Sequence, residues 1–88
     1  AIALVEDEAV LREELSFQLG HLGFSVEAFE SAEQLYRRMA VRRFSAIVLD
    51  IGLAGEDGLS VCRHLREHDK HVGIVFVTAR ALRDDRLV

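Results

Sequence analysis

The 88-residue sequence has no proline and a single cysteine, Cys62. One cysteine excludes an internal disulfide, and a lone thiol fits a reducing cytoplasm. Pro-rich linkers are excluded, and internal repeats and low-complexity tracts are absent as well. No apolar run approaches the roughly 20 residues that a membrane-spanning helix needs. The apolar start, Ala1–Val5, runs straight into Glu6-Asp7-Glu8 and so does not resemble a signal peptide. A formal net charge of −4 has the wrong sign for direct nucleic-acid contact by this segment.

What remains is the balance of a soluble globular domain, with 50% hydrophobic and 30% charged residues. The length sets one domain, residues 1–88. A chain this short buries only about 60% of the surface its unfolded form exposes, so each element matters.

Hydrophobic patterning predicts alternating strands and helices. Ala1–Val5 is a continuous apolar run stopped by acids, as a buried strand would be. Leu11, Leu15, Leu19 and Leu22 recur at helical spacing from Ala9 to about Leu22, and Gly20 and Gly23 fall near the helix end. Phe24–Phe29 alternates, with Phe24, Val26 and Ala28 set against Ser25 and Glu27, and predicts a second strand. Ser31 and Gln34 form a capping-box pair for a helix to about Val41, with Leu35 and Met39 inward. Ala46–Leu49 is a third strand stopped by Asp50, and Gly52 to Gly58 is a loop. A helix over Leu59–His68 buries Val61, Cys62 and Leu65, and Val72–Val77 is a fourth strand. From Ala81 the chain reads as the first turns of another helix. Apolar strands alternating with helices require a parallel sheet covered on both faces, a doubly wound α/β fold.

In an open α/β sheet, ligands bind outside the carboxyl ends of the strands where the winding reverses. With strand order 2-1-3-4, Glu6, Asp7 and Asp50 converge on one crevice. Three carboxylates that close repel strongly, and a divalent cation is the economical compensation. An all-oxygen site suits Mg²⁺, to which the Gly52 carbonyl could add a ligand, and Mg²⁺ also neutralises an incoming phosphoryl group. Singly, each acid reads as a solubilising strand terminus.

Three blocks carry a resemblance: Leu4-Val5-Glu6-Asp7-Glu8, then Ile47 to Gly58, then Val75-Phe76-Val77-Thr78-Ala79-Arg80. In order and spacing they resemble the receiver domain of bacterial two-component response regulators, a flavodoxin-like fold. The resemblance implies that Asp50 takes a phosphoryl group from a sensor histidine kinase. It implies Asp7, Asp50 and the Gly52 carbonyl as Mg²⁺ ligands, with Glu6 ligating through water. Thr78 is then the switch hydroxyl that hydrogen-bonds the phosphoryl oxygen, and Ala79 the small residue beside it. Such a domain is a cytoplasmic bacterial switch and not an enzyme beyond its own phosphorylation and dephosphorylation. It also implies a DNA-binding output domain outside this chain and a homodimer on activation.

The chain departs from the family pattern in two places. Ala54 stands where the family usually has proline, four residues after the phosphoacceptor. The family's fifth strand, its phosphoryl-binding lysine and its aromatic switch residue would fall after Val88, with the last helix, so the domain reads as incomplete at its C-terminus. An exposed fourth-strand edge would then favour association. Other signals have plainer readings. His64, His68 and His71 suggest a solvated face before a metal site. Arg37, Arg38, Arg42 and Arg43 complement a helix C-terminus before they bind an anion or a partner. Arg80, Arg83, Asp84, Asp85 and Arg86 are divided between solvation and dimer salt bridges. Two competing functions remain: a degenerate receiver acting as a phosphorylation-independent interaction module, and a Mg²⁺ phosphatase. The second needs an acid where Gly52 stands.

Overall fold

The computed structural model describes residues 1–50 and 58–77. The elements are β1 (Ile2–Val5), α1 (Ala9–His21), β2 (Val26–Phe29), α2 (Ala32–Met39), β3 (Ala46–Asp50), α3 (Gly58–His68) and β4 (Gly73–Val77). The strands form one parallel sheet in the order β2-β1-β3-β4. This is the doubly wound α/β arrangement that the apolar runs require, with the winding reversing between β1 and β3.

Strand alternation divides the core in two. Ala3, Val5, Ile47 and Leu49 point to one face, where Leu35 of α2 and Val61 and Leu65 of α3 cover them. Ile2, Leu4 and Val48 point to the other, against Leu15 and Leu19 of α1. All of β1 is buried, because both faces of the sheet are covered there.

Local signals explain where the helices start and stop. Glu8 caps α1, its Oε1 accepting from the Leu11 amide at 3.2 Å. At the other end Gly23 takes φ 101°, the Phe24 amide donates to the Leu19 carbonyl and the Gly23 amide to that of Gly20. That pair of bonds is a Schellman stop, which needs a residue without Cβ at the left-handed position. Ser31 Oγ caps α2 by accepting from the Gln34 amide at 3.2 Å. Gln34 Oε1 reaches back to the amide of Glu30 instead of that of Ser31, so the reciprocal half of the capping box is displaced by one residue.

Several side chains depart from the inward faces that their spacing predicts. Leu22 is 72% exposed, because α1 ends at His21 and the chain turns away. Phe24 lies before β2 begins and is exposed. Ala28 is exposed and Val26 only half-buried, as β2 stands at the edge of the sheet. Cys62 is half-buried, not enclosed. On β4, at the other edge of the described sheet, Val75 and Phe76 are exposed. The helix expected from Ala81 lies outside the described residues.

Replacing Leu4, fully enclosed between β1 and α1, by alanine should cost about 2–5 kcal/mol. Replacing Phe17, which is 72% exposed, should cost less than about 1 kcal/mol. Urea unfolding of the two variants checks this; equal losses would show that Leu4 is not in the packed core.

Candidate metal centre

The sheet register sets up the site. Val5 pairs with Leu49 across β1 and β3, so the next residue on each strand, Glu6 and Asp50, emerges at the same level. Oxygens of Glu6, Asp7 and Asp50 lie within 4.8 Å of one another, and no other metal-competent group of three His, Cys, Asp or Glu occurs among the described residues. Glu6 and Asp50 are enclosed, at 0% and 1% exposure, whereas Asp7 is half-buried. The site therefore has two carboxylates in its floor and one at its mouth.

The loop between β1 and α1 is held by its own acids. Glu6 Oε2 accepts from the Glu8 amide at 2.9 Å, and Arg12 Nη1 donates to the Glu6 carbonyl at 2.9 Å. The Glu6 amide continues the sheet ladder by donating to the Phe29 carbonyl at 3.0 Å. Glu6 is thus fixed by its main chain on one side and by one carboxylate oxygen on the other. Its second oxygen, Oε1, is sealed from solvent, as is Oδ2 of Asp50.

Two buried carboxylates beside a third make an all-oxygen donor set of high negative charge. Such a set fits a small hard cation such as Mg²⁺, which keeps several waters and needs few protein ligands. At an effective dielectric of ~20, two unit charges 4.8 Å apart repel by about 3 kcal/mol. A divalent ion would convert that repulsion into attraction.

The structure brings together the three predicted acids, Glu6, Asp7 and Asp50. Gly52, Thr78 and Ala79 lie outside the described residues. The histidine cluster is dispersed: His64 packs against Tyr36, ring centroids 4.1 Å apart, and does not join His68 and His71 in a metal-competent group. Two bracing roles beside the site carried no signal in the sequence. Glu8 caps the helix behind the site, although glutamate is an unusual cap. Arg12 braces the loop from the first turns of α1, and only the path of the chain reveals that bond.

The family comparison decides what this crevice belongs to. The family model for the response regulator receiver domain matches residues 2–87. The chain belongs to that family.

Among curated relatives, this receiver domain is 37% identical over 86 residues to the two-component response regulator PhoP of Pseudomonas aeruginosa, covering 98% of the chain and 38% of the relative. It is 39% identical over 87 residues to the TorCAD operon transcriptional regulatory protein TorR of Escherichia coli, covering 99% of the chain and 37% of the relative. The chain thus spans under two-fifths of the length of these relatives. Among solved structures it superposes on response regulator protein TrrA of Thermotoga maritima in complex with Mg²⁺-BeF. There the TM-score is 0.82 at 28% identity, over 98% of this chain and 70% of that one. It also superposes on a complex of histidine kinase ThkA with TrrA, with TM-score 0.80 at 29% identity over 89% of this chain and 67% of that one.

Among the described residues no helix is long and apolar enough to cross a membrane.

Like-charge crowding has a measurable signature. Without metal, Asp50→Asn should stabilise the fold by roughly 1–3 kcal/mol, since it removes one of three mutually repelling charges. Added Mg²⁺ should raise the melting temperature of the parent chain more than that of the variant. Thermal melts in EDTA and in Mg²⁺ read both effects; a variant that melts lower in EDTA would contradict the repulsive cluster.

Proposed function

We propose that the chain is the phosphoacceptor domain of a two-component response regulator, with Asp50 as the acceptor. The convergence of Glu6, Asp7 and Asp50 at the ends of neighbouring strands carries this reading. A carboxylate oxygen of Asp50 attacks the phosphorus of a phosphohistidine on a sensor histidine kinase. The P–O bond forms as the P–N bond breaks, and the imidazole nitrogen takes the electron pair. The product is an acyl phosphate. Such a transfer demands little beyond positioning and charge neutralisation.

Asp7 and Asp50 would hold Mg²⁺ directly, with the carbonyl of Gly52, and Glu6 through water. Bound there, Mg²⁺ neutralises the phosphoryl oxygens. Glu6, already fixed by the Glu8 amide and closed off from solvent, suits an outer role, while Asp7 at the mouth suits direct contact. Thr78 would hydrogen-bond the phosphoryl group and report its presence, with Ala79 leaving room for it. The domain would catalyse only its own phosphorylation and dephosphorylation.

TorR, named a transcriptional regulatory protein and covered over only 37% of its length, supports a DNA-binding output domain beyond this chain. Dimerisation on activation is part of the same proposal. The kinase complex of TrrA supports a histidine kinase as the donor. We place the protein in the bacterial cytoplasm, as one domain across residues 1–88.

Asp50→Ala should abolish labelling by a sensor kinase or by acetyl phosphate, read on a phosphate-affinity gel. Asp7→Ala should weaken Mg²⁺ binding by about tenfold or more, equivalent to ~1.4 kcal/mol. Labelling that survives in Asp50→Ala would move the acceptor elsewhere. A parent chain that binds no Mg²⁺ and takes no label would favour the phosphorylation-independent interaction module.

A further inference from the structure

At the opposite ends of the strands lies a second polar feature. Phe44 precedes β3 and Asp50 closes it, so a cleft beside Phe44 is about 20 Å from the acidic site. The cleft has a volume of about 230 Å³ and opens between the α2–β3 and α3–β4 connections. Met39 and Phe44 contribute its apolar part, while Arg43 comes from one connection and Lys70 and His71 from the other. His68, at the end of α3, lines the same side. Two basic groups some 25 residues apart in sequence thus face one recess in a chain whose net charge is −4.

The remaining charged residues of the cleft are engaged locally. Arg42 pairs with Glu27 at 3.3 Å and lies over the Phe44 ring, 5.6 Å from its centroid, so it forms a wall. Asp69 accepts from the His71 amide at 2.9 Å, which ties its carboxylate into the turn. Arg66, from the outer surface of α3, donates to the carbonyls of Lys70 and Val72 and holds that turn against β4. Among the described residues neither Arg43 nor Lys70 has a carboxylate partner. The carbonyl ends of α2 and α3 lie near these cations and account for part of their placement. They do not require that cations from both connections share a recess with an apolar floor.

We propose that this cleft binds a small phosphate-type oxyanion of at least two negative charges, held by Arg43 and Lys70 between walls that are already braced. Guanidinium and ammonium groups together recognise such an anion by bidentate and point-charge contacts. The recess is of small-molecule size, and the net negative charge of the chain disfavours a long polyanion such as DNA. The anion could be free or carried on a nucleotide, whose base would then meet Met39 and Phe44. Neither source depends on the acidic centre or on phosphorylation.

Calorimetric titration of the chain in EDTA with pyrophosphate and with ADP tests this, because metal-dependent binding at the acidic centre is then silent. Saturable one-to-one binding that weakens at least tenfold in R43A/K70A is expected. A control, R37A/R63A, removes the same charge from exposed positions outside the cleft and should bind as the parent does. ADP binding tighter than pyrophosphate assigns a nucleotide, and equal binding assigns the free oxyanion. The absence of saturable binding would overturn the proposal. So would equal weakening in both double variants, or a DNA duplex bound tighter than either probe. Circular dichroism of both variants establishes that they remain folded.

Discussion

Three carboxylate groups within 4.8 Å, two of them closed off from water, are an electrostatic cost built into the end of a sheet. The sheet tolerates that cost because the acids stand at the ends of strands whose apolar bodies are buried on both faces. Ala3, Leu4, Val5, Ile47 and Leu49 are each enclosed, so the packing that holds β1 beside β3 also holds Glu6 beside Asp50. The repulsion cannot relax by separating the strands without opening both halves of the core. It can relax by binding a cation.

The β1–α1 loop adds a second restraint. Glu6 accepts from the Glu8 amide, Glu8 caps α1 through the Leu11 amide, and Arg12 returns to the Glu6 carbonyl. Each bond is individually modest, on the order of 1 kcal/mol for a typical neutral pair. Together they make the position of the acids and the start of α1 a single arrangement. Asp7, between Glu6 and Glu8, is placed by its neighbours.

Much of this was legible in the sequence where a residue's role is set by its own element. Apolar runs ending in acid marked β1 and β3, because a strand covered on both faces has no polar alternation to confuse it with a surface strand. The spacing of Val61 and Leu65 marked the inner face of α3 for the same reason. Leu22 misled because its periodicity runs one residue past the end of α1, and Phe24 because it falls between the Gly23 turn and the start of β2. Ala28 misled because alternation predicts two faces but not whether a strand stands at the edge. The bond of Arg12, and the meeting of Arg43 with Lys70 in one cleft, were hidden for another reason. Each depends on segments meeting through the fold, which no single window of sequence contains. Membership of the receiver family was legible because its three motif blocks sit at strand ends, where topology and chemistry coincide.

The position of β1 in the middle of the sheet also bears on how the chain is made. β1 is the first strand in sequence, yet its neighbours are β2 and β3, and Asp7 meets Asp50 only after the chain has closed on itself. During synthesis, the four apolar residues of β1 emerge before the two strands they pair with, β2 and β3. Contacts this far apart in sequence slow folding and lengthen the time that apolar surface is exposed. No N-terminal intermediate shorter than β3 can hold the acidic centre, so the site comes into being at the same step as the sheet that carries it.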